Sequence, residues 1–231
     1  MNSERKEHSQ ADSELNDRFI TNIEQLTKRD RDLVQIISDY GYPDPWRRKP
    51  GFATLIRIIL EQQVSYASAT ATFKRLNEAV EDLNPASFLT LDDDKLKRIG
   101  FSRQKTRYGR ILAQTIIDGK LNLTELSKLD DSEIKQQLTA IKGIGDWTVD
   151  IYLMMALQRQ DVFPSKDLAV AIALKEIKGL ATRPKAAELE AIAEQWKPYR
   201  AIATKILWHY YLNRKSAKKS EVRSQKSEVR N

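Results

Sequence analysis

Residues 138–170 read LTAIKGIGDWTVDIYLMMALQRQDVFPSKDLAV. One apolar helical pattern ends at Ile141, and a second opens at Asp146 and runs toward Arg159. Only Lys142-Gly143-Ile144-Gly145 joins them. Two glycines two apart permit a tight turn and let the backbone approach a ligand closely. The N–H groups that open the second helix have no partner within it and lie at the positive end of its dipole. They can therefore hold a phosphate without a charged side chain. Ile144, between the glycines, is placed to plug the hairpin into a core. Taken alone, the same four residues equally describe a plain interhelical turn.

The helical reading extends in both directions. Leu33, Ile36 and Ile37 mark a helix before the Gly41-Tyr42-Pro43-Asp44-Pro45 break, and Phe52, Leu55, Ile56, Ile59 and Gln63 share one face of the next. Asp131 is placed to cap the helix before the hairpin, and Ser165 one that stops at Gly179. A last helix starts at Pro198 and ends near Asn213. No segment alternates with period two, so the expected fold is all-α. The expected organisation is a disordered segment at 1–17, one domain over 18–213 and a basic low-complexity tail at 214–231, where Ser-Glu-Val-Arg recurs at 220 and 227.

Composition narrows the chemistry. Among 231 residues there is no cysteine, which excludes disulfides, zinc–thiolate sites, iron–sulfur clusters and a thiol nucleophile. Neither a metal nor a cofactor is expected. The only histidines are His8 and His209, so histidine acid catalysis has little support. No apolar run approaches the roughly 20 residues that span a bilayer, and Met1–Gln10 is too polar for a signal peptide. The expectation is a cytoplasmic protein without a membrane partner, nucleoid-associated if prokaryotic. The net charge of +7 hints at an anionic partner. Much of it lies in residues 214–231, with seven Lys or Arg against two Glu, so the hint is weak.

The hairpin followed by Pro164-Ser165-Lys166-Asp167 resembles the helix–hairpin–helix, Gly/Pro-rich loop, aspartate motif of a large DNA glycosylase superfamily. Gly-Ile-Gly-x-Trp-Thr and Asp-Val-Phe within it resemble the alkylation-repair branch, the 3-methyladenine DNA glycosylase II enzymes. Ile58-Ile-Leu-Glu-Gln-Gln-Val-Ser, Trp196-Lys-Pro-Tyr-Arg-Ala and Leu207-Trp208 extend the likeness over residues 30–212. Glu61 departs from it, since glycine is usual there. The bacterial family's N-terminal β domain is not found ahead of these motifs, so the compact form is expected. The resemblance implies two helical lobes with an active site in the cleft between them.

It also implies roles. Asp167 would be catalytic, stabilising an oxocarbenium-like sugar as carboxylates do in glycoside hydrolysis. Trp208 would stack on the extruded base, with Trp147 and Tyr152 as further members of the base pocket. Gln63, with Gln62, would wedge into the gap left by the flipped nucleotide. Gly143, Ile144, Gly145 and Lys142 would hold phosphate, and Arg103, Lys105, Lys166 and Arg107 are plausible additions. Relatives that also cut the strand carry lysine where Trp147 stands, so plain hydrolysis is implied. The implied partner is damaged double-stranded DNA, bound by a monomer.

Each residue also has a plainer reading. Asp167 can be a helix-start carboxylate that complements the dipole, Trp208 and Tyr152 core aromatics, and the glutamines polar residues at a solvent edge. The competing functions are a glycosylase for deaminated bases, a non-catalytic DNA-binding hairpin module and a helical protein-interaction scaffold.

Overall fold

A computed structural model of the chain describes the backbone of residues 2–228 and the side chains of residues 14–214. Every regular element among the described residues is helical. The chain divides into two compact units, one holding residues up to Trp46 and from Gln160 onward, the other Arg47–Arg159.

The first unit opens with α1 (Asn2–Thr27) and α2 (Arg31–Tyr40). The second holds α3 (Phe52–Glu61), α4 (Tyr66–Ala79), α5 (Pro85–Leu89), α6 (Asp93–Ile99), α7 (Arg103–Ile117), α8 (Leu123–Leu126), α9 (Asp131–Thr139) and α10 (Asp146–Met155). The chain then returns to the first unit with α11 (Leu168–Ile177), α12 (Ala186–Ala193), a 3-10 turn at Glu194–Trp196 and α13 (Arg200–Glu228). Both α1 and α13 reach further toward the ends than the apolar spacing marked, because neither contains the Gly or Pro that stops a helix. Most side chains of the segments expected at 1–17 and 214–231 lie outside those described, while the backbone at 2–17 and 214–228 is helical.

The first unit is built around α13, which packs on α1, α2 and α11. Phe19, Ile23 and Leu26 of α1, Leu33 and Ile36 of α2, Val170 and Leu174 of α11, and Ile202, Ile206 and Leu207 of α13 form its core. Trp196 is wholly buried there, and its Nε1–H donates to Asp30 Oδ2 at 2.8 Å. The other oxygen of Asp30 caps α2 by accepting from the Asp32 N–H at 2.9 Å. In the second unit α10 packs on α3 and α9, and α7 on α3 and α5. Leu55, Ile56, Ile58 and Ile59 make α3 almost entirely apolar, as a helix surrounded by others must be.

Helix starts follow the expected chemistry with three corrections. The last helix, α13, opens at Arg200 and not at Pro198, with Tyr199 O accepting from the Ala203 N–H at 3.1 Å. Asp130, not Asp131, caps α9, because it forms a reciprocal pair with Glu133 three residues on. Asp167, not Ser165, caps α11, for the reason given below. No helix among the described residues is long and apolar enough to cross a membrane.

Asp30 carries two jobs, so Asp30→Ala removes a cap and orphans a buried indole N–H. Denaturant unfolding is expected to show a loss of about 2–4 kcal/mol, while Asp30→Asn, which can still cap, loses less. A loss below about 1 kcal/mol for the alanine variant would show that neither bond matters.

Candidate active site

In the first unit the N-terminus of α11 needs acceptors for its opening N–H groups. Asp167 sits at the N-cap with extended backbone angles, and its Oδ1 accepts from the Val170 N–H at 2.9 Å. The tight loop before it is closed by the Asp167 N–H, which donates to Pro164 O at 2.8 Å. The same Oδ1 accepts from Nε1–H of Trp208, on α13, at 3.2 Å. Asp167 is 7% exposed, whereas the next residue, Leu168, is 55% exposed, so the carboxylate lies just beneath the surface. The plain reading of Asp167 as a helix-start residue is therefore correct, and it coexists with a second bond that capping does not require.

Trp208 is half-buried and meets Trp46 edge to face, with ring centroids 6.0 Å apart and planes at 77°. Sequence reasoning missed Trp46, reading the prolines before it only as a helix break. An aromatic residue directly after Pro43-Asp44-Pro45 was the available signal.

The hairpin lies in the second unit. Gly143 has φ +99°, and a Cβ there would stand 2.1 Å from Cγ of Tyr108. Both backbone angle and space thus demand glycine. Gly145 starts α10 with no side-chain cap, and a Cβ there would meet nothing within 4 Å. The backbone at Gly145 therefore has open space where a side chain would stand. Asp146, in its first turn, would oppose an anion, and Lys135 lies 3.4 Å from that carboxylate and offsets it. Lys142 is exposed beside the turn. Ile144 is buried as expected. Its N–H donates to Ile141 O at 3.0 Å, so it leaves the phosphate-binding set.

The loop after α3 separates the paired glutamines. Gln62 Nε2 donates to Gly143 O and to Thr148 Oγ1, both at 2.9 Å. Gln62 is thus a tie between α3 and the hairpin rather than a wedge. Gln63 is exposed and has φ +56°, a left-handed angle that non-glycine residues rarely adopt. Lys105, expected as a phosphate contact, instead donates to Leu60 O at 2.7 Å, and burial lowers its pKa. Glu61, the departure from the usual glycine, is held by Arg48 through two bonds of 2.7 and 2.9 Å, with Arg57 at 3.4 Å. The end of α3 is therefore clamped from three sides, and Gln63 is the residue left outward.

Trp147, the second residue of α10, is half-buried. Tyr152 is wholly buried, and its hydroxyl accepts from the Gly51 N–H at 3.1 Å. Burial pushes that hydroxyl's pKa up. Tyr152 belongs to the core of its unit and offers no face to a base. No group of three or more His, Cys, Asp or Glu among the described residues could hold a metal ion.

An all-helical fold carrying such a hairpin, followed by an aspartate that caps the next helix, defines a class of DNA repair proteins. Residues 56–198 match the family described as HhH-GPD superfamily base excision DNA repair protein, and the chain belongs to that family. The chain is similar to the alkylbase DNA glycosidase-like protein mag2 of Schizosaccharomyces pombe, with 29% identity over 67% of this chain and 75% of that protein. DNA-3-methyladenine glycosylase 1 of the same yeast is 28% identical over 76% of this chain and 79% of its own. The solved structure of a 3-methyladenine DNA glycosylase from that yeast in complex with abasic DNA is also similar. It has a TM-score of 0.75 at 28% identity, covering 81% of this chain and 95% of that one.

The two hairpin glycines separate folding from binding. Gly143→Ala should destabilise the protein by about 2 kcal/mol or more, from the clash with Tyr108 and the left-handed angle. Gly145→Ala should leave the unfolding midpoint almost unchanged and weaken binding to damaged and undamaged duplex alike, because backbone contacts position without reading bases. Filter binding and denaturation check both. Full duplex affinity in a folded Gly145→Val variant would contradict the assignment.

Proposed function

We propose that this chain is a monofunctional DNA N-glycosylase that removes alkylated, positively charged purines from duplex DNA and leaves an abasic site in an unbroken strand. The observation that carries this reading is the pair formed by Asp167 and Trp208. A near-surface carboxylate held by an indole N–H can stabilise a developing sugar cation while an aromatic ring lies beside it. The relatives' activity, named for 3-methyladenine, supports the same reaction for this chain.

The reaction asks little of the protein beyond placement and charge. Alkylation makes the purine a cationic leaving group, so its glycosidic bond is already weak and no proton donor is needed. The carbon–nitrogen bond breaks with its electron pair going to the base, and positive charge develops on the sugar. Asp167 stabilises that charge and can orient the water that captures C1′. Water gives up one proton and leaves a hydroxyl at C1′. Tryptophan at 147 cannot form an imine, so nothing there drives strand cleavage.

The remaining residues serve extrusion and grip. Gln63 enters the space vacated by the base, and Gly143, Gly145 and Lys142 hold the backbone near the flipped nucleotide. The protein acts as a monomer on double-stranded DNA, in the cytoplasm, with no cofactor or metal.

Asparagine caps a helix as well as aspartate does, and at this position it would keep an oxygen for both Val170 and Trp208. Asp167→Asn therefore removes the charge and spares the cap. Single-turnover release of 7-methylguanine, measured by mass spectrometry, should fall at least about a hundredfold, with the unfolding free energy changed by less than about 1 kcal/mol. The wild-type product should need alkali to break. Near-normal release by the variant would contradict the role of Asp167, and a borohydride-trapped lysine adduct within residues 30–212 would contradict monofunctional hydrolysis.

A further inference from the structure

We infer that Trp46 is a second aromatic wall of the base site and makes the site selective for positively charged bases, an inference that rests on the glycosylase reading. Trp46 lies between α2 and α3, outside the span 56–198 matched to the family. Its φ is +41°, a left-handed angle that a bulky aromatic residue seldom holds. Such an angle persists only where the surroundings enforce it, and it tends to occur at functional sites. Pro43 and Pro45 stiffen the backbone leading into it.

Trp46 reaches the proposed catalytic group through one intermediary, Trp208. Its ring meets Trp208 edge to face at 6.0 Å, and Trp208 donates its Nε1–H to Asp167 at 3.2 Å. Both tryptophans are half-buried, so neither is enclosed by the core as Trp196 is. Two electron-rich indoles with a carboxylate at one end suit a flat cation, since indole faces attract positive charge beyond what apolar contact gives. A neutral purine of similar shape would gain the stacking but not the charge term.

Trp196 shows what a purely structural tryptophan looks like in this unit. It is wholly buried, lies in a helical turn, and satisfies its N–H with Asp30. Trp46 differs in backbone angle and exposure, and it sits one contact away from Asp167.

The test compares wild type, Trp46→Ala and Trp46→Phe in single-turnover excision from duplexes carrying 7-methylguanine, which is cationic, or hypoxanthine, which is neutral. Trp46→Ala should lose about tenfold on the cationic base and much less on the neutral one, with Trp46→Phe recovering most of the loss. Equal losses on both bases, or no loss at all, overturn the inference while leaving the glycosylase reading in place. A folded wild-type protein that releases neither base sinks the glycosylase reading instead. The pocket is then judged by tryptophan fluorescence with 7-methylguanosine and guanosine at mildly acidic pH. A preference for the cation that Trp46→Ala abolishes supports the aromatic wall, and absence of that preference in the wild type overturns it.

Discussion

The N–H of Val170 opens α11 and has no partner within its own helix, so an acceptor must come from the residue three positions before it. Asp167 supplies that acceptor at 2.9 Å. This local requirement fixes the carboxylate in place without any contribution from a ligand. The bond from Trp208 then fixes its direction, and through Trp208 the position of Trp46. A carboxylate held by its own helix end is arranged before any ligand arrives, and preorganised charge of this kind is where electrostatic stabilisation is most effective.

The second unit applies the same economy to a different task. Gly143 lets the hairpin turn press on Tyr108, and Gln62 bonds to Gly143 O from the end of α3. Lys105 and Arg48 secure the residues just before it. The turn proposed to hold phosphate and the residue proposed to enter the duplex are therefore parts of one rigid piece. The buried Glu61–Arg48 pair has two parallel bonds, the geometry in which an ion pair of low exposure is favourable. Arginines at 48 and 57 explain how this chain accommodates a carboxylate where glycine is usual.

What the sequence revealed followed from how local each signal is. The helices were legible because apolar spacing is a property of neighbouring residues, and the turn at Gly143 and Gly145 because glycine allows a tight reversal; the turn's role came only from the resemblance of the longer stretch. Asp167 was singled out by the resemblance, since its local pattern alone marks only a helix start, and its place at the cap, instead of Ser165, depended on which side chain reaches Val170. Gln62, Lys105 and Tyr152 were misplaced because their partners, Gly143, Leu60 and Gly51, are 81, 45 and 101 residues away. A side chain's partner at that range is decided by packing and leaves no mark on its neighbours in sequence. Trp46 was missed for the same reason, since its meaning comes from Trp208.

The proposed mechanism stands on negative charge at Asp167 meeting positive charge on the sugar. The most direct measurement is the affinity of the wild-type protein for two duplexes that differ only at one abasic position. One carries a protonated pyrrolidine in place of the sugar, and the other an uncharged tetrahydrofuran. The mechanism predicts at least about tenfold tighter binding to the pyrrolidine duplex, or about 1.4 kcal/mol, with the difference lost in Asp167→Asn. Equal affinity of the wild-type protein for the two duplexes would contradict it.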